Sequence, residues 1–368
     1  MSGPLKGTTI IEFSGIGPGP FCGMVLADLG AEVIKIDRAS SLGKGNELDF
    51  QSRSKYSITA DLKKPDAIDE IKKLLSQADA LFEGFRPGVM ERLGLGPEEV
   101  LDINPNIVYG RMTGWGQKGP LANSAGHDLN YIALTGALDS IGRKGESPPP
   151  PLNLIGDYGG GGMFLALGIL AGILNVKNGG KGQVVDAAMV DGASLLMTMF
   201  YSFDASGFWK QSKESNLLDG GAHFYDTFEC KDGKHMSVGS IEPQFYEILI
   251  DKLELDKDYF GNQMDQSKWF EYKEVIKDRF KTKTRDEWAK IFEGTDGCVA
   301  PVLSIAEAPH HHHLKDRNTF IKLDGHFQPA PAPRFSLTKE SVKHGPPKCG
   351  QDNAAISKKF KLDESKLS

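Results

Sequence analysis

The sequence predicts an α/β protein: a large domain built on a parallel sheet, then a smaller α+β domain. Two observations carry that reading. In the first half, short apolar runs alternate with amphipathic helical segments across glycine-rich turns, the pattern that feeds parallel sheets through right-handed crossovers. Near Gly220 the texture changes to a hairpin followed by amphipathic helices. A chain of 368 residues has ample length for a large core and suits roughly one to three domains.

The elements follow in order. TTIIEF (8–13) reads as a buried strand. Gly15, Gly17 and Gly19, with Pro18 and Pro20 between them, turn the chain into the apolar helix FCGMVLADLG (21–30), stopped by Gly30. AEVIKIDR (31–38) is a second strand ending at Asp37 and Arg38. PDAIDEIKKLLSQ (65–77) is a helix with Pro at its first turn. ADALFEGF (78–85) ends a third strand near Gly84, and PEEVLDIN (97–104) is a short helix. NIVYGRMTGWG (106–116) is a fourth strand running into a glycine-rich loop. KGESPPPP (144–151) is dense enough in proline for an extended surface loop. NLIG (153–156) starts like a strand and ends at Asp157, before Gly159 to Gly162 and an apolar helix. FYDTFECKDGKHMSVGSI (224–241) reads as a hairpin with Asp232-Gly233 at its tip. The amphipathic segments QFYEILIDKL, WFEYKEVIKDRFK and RDEWAKIFE follow, then a proline-rich return, FQPAPAPRFS, and a lysine-rich tail. The expected division is a large domain over 1–220, a small one over 221–325, and a segment 326–368 that returns to the first.

The net charge of −6, with both signs mixed along the chain, argues against a nucleic-acid partner. The longest apolar run, Met163 to Leu174, falls short of the ~20 residues of a membrane span and reads as a buried helix. The four cysteines are scattered, without metal-ligand spacing or a disulfide framework. His310 to His313 read as a surface loop, since consecutive imidazoles do not share one face. No metal and no cofactor are expected. The N-terminus shows neither a signal-peptide core nor an arginine-rich transit helix. The C-terminal SKLS places one serine after a peroxisomal SKL, so the expected compartment is peroxisomal or mitochondrial, and cytoplasmic otherwise.

Several residues invite a chemical reading beside a structural one. The G-x-G-x-G of 15–19, with Asp37 about 20 residues on, departs from the dinucleotide fingerprint in spacing and in its prolines. Arg38 at a strand's end suits a phosphate on an adenosine ribose, or a plain ion pair with Asp37. His127 is a candidate acid/base or a structural histidine. Asp157 is a candidate acid or a helix N-cap. The glycines after it suggest bare N–H groups open to a ligand carbonyl. The stretch SLLMTMFYSFDASGFW (194–209) suits an adaptable acyl pocket or ordinary core and interface.

Read together, LADLGAEVIKID (26–37), ALFEGFRPGVMERLGLG (80–96), GRMTGWGQKGPLANSAGHDLNYIALTG (110–136), GDYGGGGM (156–163), GQVVDAAMVDG (182–192) and PAPRFS (331–336) resemble the family III CoA-transferases, and within them the racemase branch. The resemblance spans nearly the whole chain. It implies a Rossmann-like large domain, a small α/β domain and two chains interlocked as a homodimer, with each active site between subunits. It implies an acyl-CoA substrate whose CoA is part of that substrate. The acid/base pair falls on His127 of GHDLNY and Asp157 of GDYGGGG, with Glu242 of IEPQFY supporting the histidine. CoA contacts fall on Arg38, on Ala60, Asp61, Leu62 and Lys63, on Gly126, Asp128, Leu129, Asn130 and Tyr131 beside the histidine, and on Arg86.

The expected reaction interconverts (2R)- and (2S)-2-methylacyl-CoA thioesters by moving one proton through an enolate. One group removes the α-proton and another returns it on the opposite face. Imidazole and carboxyl groups, with ordinary pKa values of ~6.5 and ~3.9, must be drawn together by burial and neighbours. The alternative uses Asp157 as a nucleophile, forming an aspartyl-acyl anhydride for CoA transfer between acids.

Overall fold

The structure, a computed structural model, describes residues 3–338 and 342–367. The chain divides into two compact units. The first comprises residues 1–136, 150–197 and 315–368, and the second 137–149 and 198–314.

The first unit is built on six parallel strands: β1 (Thr9–Phe13), β2 (Glu32–Arg38), β3 (Tyr56–Ala60), β4 (Ala80–Glu83), β5 (Val108–Thr113) and β6 (Val184–Ala188). Their order is β3-β2-β1-β4-β5-β6, the doubly wound arrangement of a Rossmann-like sheet. Both faces are buried, and the strand period of two divides the side chains between them. Ile11, Ile34, Ile36, Leu81 and Tyr109 enter one core, which helix Pro65–Leu75 and the C-terminal helix Asn353–Phe360 cover. Ile10, Val33, Ala80, Phe82 and Val108 enter the other, under helices Pro18–Asp28 and Met163–Lys177.

Two strands of this sheet escape the sequence reading. β3 follows Arg53 and Lys55, which look like surface residues but are buried in ion pairs with Asp28 and Glu12. β6 is an edge strand whose exposure blurs its alternation. The outer edge of β3 is covered by the tail: Asp352 Oδ2 accepts the Ser57 N–H at 2.8 Å and Asn353 Oδ1 the Thr59 N–H at 2.9 Å. Such coverage protects an open strand edge. Leu367 is buried, and its carbonyl accepts the N–H of Asp61, the residue after β3, at 2.8 Å, so the end of the tail is held against the first unit. Ser368 lies outside the described residues.

The strand-like start expected at NLIG is helical. Residues Leu154–Gly162 form a π-helix that continues into Met163–Lys177. The combined 24-residue helix is long and apolar enough, by length and composition, to cross a membrane. Here its glycines seat it on the sheet: a Cβ at Gly172 would stand 2.7 Å from the Val108 side chain.

The second unit holds the antiparallel sheet β7 (Tyr225–Glu229), β8 (His235–Gly239) and β9 (Val299–Pro301), with Asp232-Gly233 at the hairpin tip. Helices Pro243–Lys252, Trp269–Phe280 and Arg285–Phe292 pack on it around Trp288, Phe280 and Phe224. Its boundaries differ from the expected 221–325. Residues 137–149 belong here because Arg143 is tied to Glu214 at 2.9 Å and to Asp226 at 2.7 Å. The hairpin β10 (Phe320–Leu323) and β11 (His326–Pro329) belongs instead to the first unit, where Arg53 donates to Gln328 Oε1 and the Pro329 carbonyl.

Candidate active site

In this strand order the chain winds away from β1 in opposite directions, so the crevice between β1 and β4 is a topological switch point. Doubly wound sheets bind ligands there, outside the strands' carboxyl ends. A cavity of about 790 Å³ opens at that place in the first unit. Its wall is formed by Gly15–Gly19 after β1, Gly84–Pro87 after β4, the end of β5, the loop leading into helix Asp128–Ala133, and the first turn of the helix that carries Asp157. Of the expected site residues, Arg86, Gly126, His127, Asn130, Tyr131 and Asp157 line it.

His127 is placed by its own backbone. It is extended, with φ −134° and ψ 173°, and its N–H donates to Asn130 Oδ1 at 3.1 Å. Tyr131 holds the preceding residue, its hydroxyl donating to the Gly126 carbonyl. The Tyr131 ring is itself fixed edge-on to Trp115, with centroids 4.8 Å apart. Nothing larger than glycine fits at 114 or 126, where a Cβ would fall 2.0 and 2.7 Å from that ring.

Asp157 is half-buried in the first turn of its helix. Its N–H donates to Asp128 Oδ2 at 2.6 Å, and its Oδ2 accepts from Asn153 Nδ2 at 3.1 Å. Burial is the largest influence on its carboxyl and raises the pKa. The Asn153 amide opposes this, the Asp128 charge adds to it, and the His127 imidazole opposes it, leaving the pKa above the usual carboxylate value. A raised acid beside an imidazole in one cleft is the pattern of proton-transfer sites.

Gly17 explains part of the glycine-rich turn. Its φ is 68° with ψ −117°, a backbone open to glycine, and a Cβ there would lie 2.9 Å from Asp157 Oδ2. Gly17→Ala is therefore expected to cost about 1–3 kcal/mol in backbone strain. It should also lower any turnover that depends on Asp157 by about tenfold or more, because the Cβ displaces that carboxyl. Calorimetry and kcat measured on one preparation check both; unchanged kcat would refute the contact's importance.

Other expected contacts form a second group. Arg38 and Ala60 are register partners at the ends of β2 and β3, with Asp61, Leu62 and Lys63 directly after. Arg38 and Lys63 are exposed, and Leu62 packs partly into the core. Glu242 is exposed in the second unit, at the start of helix Pro243–Lys252.

Two expected contacts lie outside the cavity wall, and two other readings need correction. Asp128 is 5 % exposed, its Oδ2 accepts the Asp157 N–H, and it is not part of the cavity wall. Leu129 is exposed but is not part of the cavity wall. Gly159 to Gly162 do not bare N–H groups to a ligand. A Cβ at Gly160 would strike the Ala193 backbone at 2.5 Å, and one at Gly162 the Pro18 carbonyl at 2.7 Å, so these glycines serve helix–helix packing. The dinucleotide reading of Asp37 loses its footing too, since its oxygens accept from Ser14 Oγ and Ser57 Oγ. Sequence reasoning missed Asn153, Trp115 and Tyr158, which also line the cavity; Tyr158 is fixed by stacking on Phe21 at 4.6 Å and by Gln51 Nε2. Among the described residues, no group of three or more His, Cys, Asp or Glu is arranged to hold a metal.

A doubly wound sheet with an imidazole and a raised carboxyl sharing its switch-point cavity defines an α/β protein equipped for proton transfer. The chain belongs to CoA-transferase family III, whose pattern matches residues 5–353. It is 43 % identical to mouse (Mus musculus) alpha-methylacyl-CoA racemase over 99 % of this chain and 95 % of that one. It is 46 % identical to the human (Homo sapiens) alpha-methylacyl-CoA racemase over 89 % of this chain and 86 % of that one. The crystal structure of a CaiB/BaiF family protein from Brucella suis superposes with a TM-score of 0.82 at 25 % identity, covering 98 % of this chain and all of that one.

Proposed function

We propose that this protein is a racemase of 2-methylacyl-CoA thioesters, with His127 and Asp157 as its two proton carriers. The observation that carries the reading is that both line one cavity, with Asp157 raised above the usual carboxylate value. The similarity to the two mammalian racemases supports the substrate class.

The α-proton of a thioester is far too weak an acid for any free side chain to remove. A base placed on it and a stabilised enolate are both required. His127 takes the proton from one face and Asp157 supplies one from the other; the roles exchange in the reverse direction. The raised pKa lets Asp157 rest protonated more often, as that exchange needs. Gly19, in the wall at the start of helix Pro18–Asp28, supplies a backbone N–H at the positive end of a helix dipole, suited to enolate oxygen. Arg38, with the adjoining 60–63 segment, and Arg86 are the groups for CoA phosphates.

A homodimer belongs to the same reading. Leu167, Leu174, Leu195 and Leu196 are exposed on the first unit, and helix Thr198–Ala205 of the second buries none of its residues. Apolar surface of this kind marks an interface. Glu242 is assigned to the histidine of the second copy.

Deuterated water decides the reaction. A (2R)-2-methylacyl-CoA incubated with the protein should gain deuterium at C2 and approach an even mixture of epimers, read by mass spectrometry and chiral chromatography. Deuterium-free substrate, with CoA passed to a free carboxylic acid, would make the protein a transferase working through an Asp157 anhydride.

A further inference from the structure

Asp128 follows His127 in the sequence, yet it lies beneath Asp157 rather than in the cavity. Its Oδ2 accepts the Asp157 N–H at 2.6 Å. Its Oδ1 is buried with no hydrogen-bond partner among the described residues. The fit is close on the other side as well: a Cβ at Gly156 would stand 2.7 Å from Asp128 Oδ2, so glycine at 156 is what lets the carboxylate reach the helix. Capping a helical N–H needs only an acceptor oxygen, which a neutral Ser or Asn supplies. A carboxylate buried with one oxygen unbonded is the costlier choice. What it adds over a neutral cap is charge, directed at a second carboxyl one residue's backbone away.

We propose that Asp128 is a positioning residue for Asp157: it holds the first turn of that helix from beneath, and its negative charge favours the protonated carboxyl over the carboxylate. The significance for turnover rests on the racemase reading, in which Asp157 must hold a proton whenever His127 is the base. Like charge is one of the three general means of raising a carboxyl's pKa. It acts here together with burial, the larger influence.

The surroundings leave Asp128 as the anion acting on Asp157. The groups facing the Asp157 carboxyl are His127, Asp128, Tyr131 and Asn153. The elements packed on its helix carry other charges with partners of their own. Asp28 is paired with Arg53, and Arg111 with Glu83 and Glu91. Asp186 accepts the Gln117 N–H, and Asp191 is exposed. On the same helix, the charge beyond Asp157 is Lys177, at the far end.

The test titrates Asp157 itself. Protein labelled with 13C at aspartate carboxyls is followed by NMR against pH, the Asp157 signal being the one lost in Asp157→Asn. In Asp128→Asn, which keeps an acceptor for the N–H and removes the charge, the Asp157 titration is expected to move to lower pH. The limb of the pH–rate profile that follows Asp157 should move with it. Asp128→Ser, a neutral cap of different shape, should move it the same way and serves if the first variant fails to fold. Asp128→Ala, which removes the acceptor as well, should also lose about a hundredfold in turnover. An Asp157 titration that stays in place or rises in a folded neutral variant overturns the proposal. The two readings fail separately: wild-type protein that never exchanges the C2 proton refutes the racemase, while the carboxyl titration still decides what Asp128 does.

Discussion

His127→Ala and Asp157→Asn are each expected to cut inversion at C2 by about 10³-fold, within the range that positioned acid/base groups supply. CoA affinity should stay within a few-fold, because neither residue belongs to the Arg38 and 60–63 group at the ends of β2 and β3. The two variants should nevertheless differ. If the two groups act as proposed, Asp157 with the imidazole gone still faces one epimer and can exchange its proton with solvent, returning it to the same side. With the carboxyl replaced by an amide, His127 does the same for the opposite epimer. Each variant should therefore exchange deuterium into one enantiomer without inverting it, and the enantiomer should switch between variants. Chiral separation followed by mass spectrometry reads this directly. A transferase gives another pattern: Asp157→Asn dead in every assay and His127→Ala still moving CoA between acids. Both residues are half-buried or exposed on a cavity wall, so neither change removes core volume and melting temperatures should stay near wild type.

How much of this was legible in the residues depends on the range of each interaction. β1, β2, β4 and β5 show in the sequence because apolar runs bounded by glycine are a local signal. β3 does not, because the fact that makes it a buried strand is the pairing of Lys55 with Glu12 and Arg53 with Asp28, across 43 and 25 positions. A lysine in a sequence looks the same whether water or a carboxylate will face it. The glycines after Asp157 mislead for a related reason. Absence of a Cβ signals that something comes close, without telling a ligand from another helix, and at Gly160 it is the backbone at Gly192 and Ala193. Glycines 15, 17 and 19 do line the cavity, and at Gly17 the close neighbour is the Asp157 carboxyl. His127 and Asp157 stand out through the resemblance rather than through spacing. They are 30 residues apart with no periodic relation, and only the sheet's switch point brings them to one wall. The bond from Asp157 to Asp128 is likewise tertiary, and no reading of GHDLNY separates the residue lining the cavity from the buried one beside it.

The second large effect concerns what holds the site's floor. Lys55 and Glu12 are both fully buried, with Nζ 2.6 Å from Oε2, and Lys55 also donates to the Pro20 carbonyl at 2.9 Å. The pair thus joins β1 and the segment before β3 to the start of helix Pro18–Asp28, the turn that lines the cavity. Gly23 is part of the fit, since a Cβ there would meet Glu12 Oε2 at 2.0 Å. Lys55→Met is expected to cost about 3–5 kcal/mol at neutral pH, because it leaves a buried carboxylate without its counter-charge. The loss should depend on pH in a definite direction. Burial already holds the Glu12 pKa above its usual value against the lowering effect of Lys55, and removing Lys55 raises it further. A carboxyl whose pKa is higher folded than unfolded opposes folding increasingly as pH rises from the unfolded value through the folded one. Denaturant titrations should therefore show a smaller deficit for Lys55→Met at pH 5 than at pH 8. The double variant Glu12→Gln with Lys55→Met removes the stranded charge and should recover most of the loss, as neutral replacement of buried ion pairs often does. A deficit equal at both pH values, and unchanged by the second substitution, would mean that the lysine acts through its packing alone.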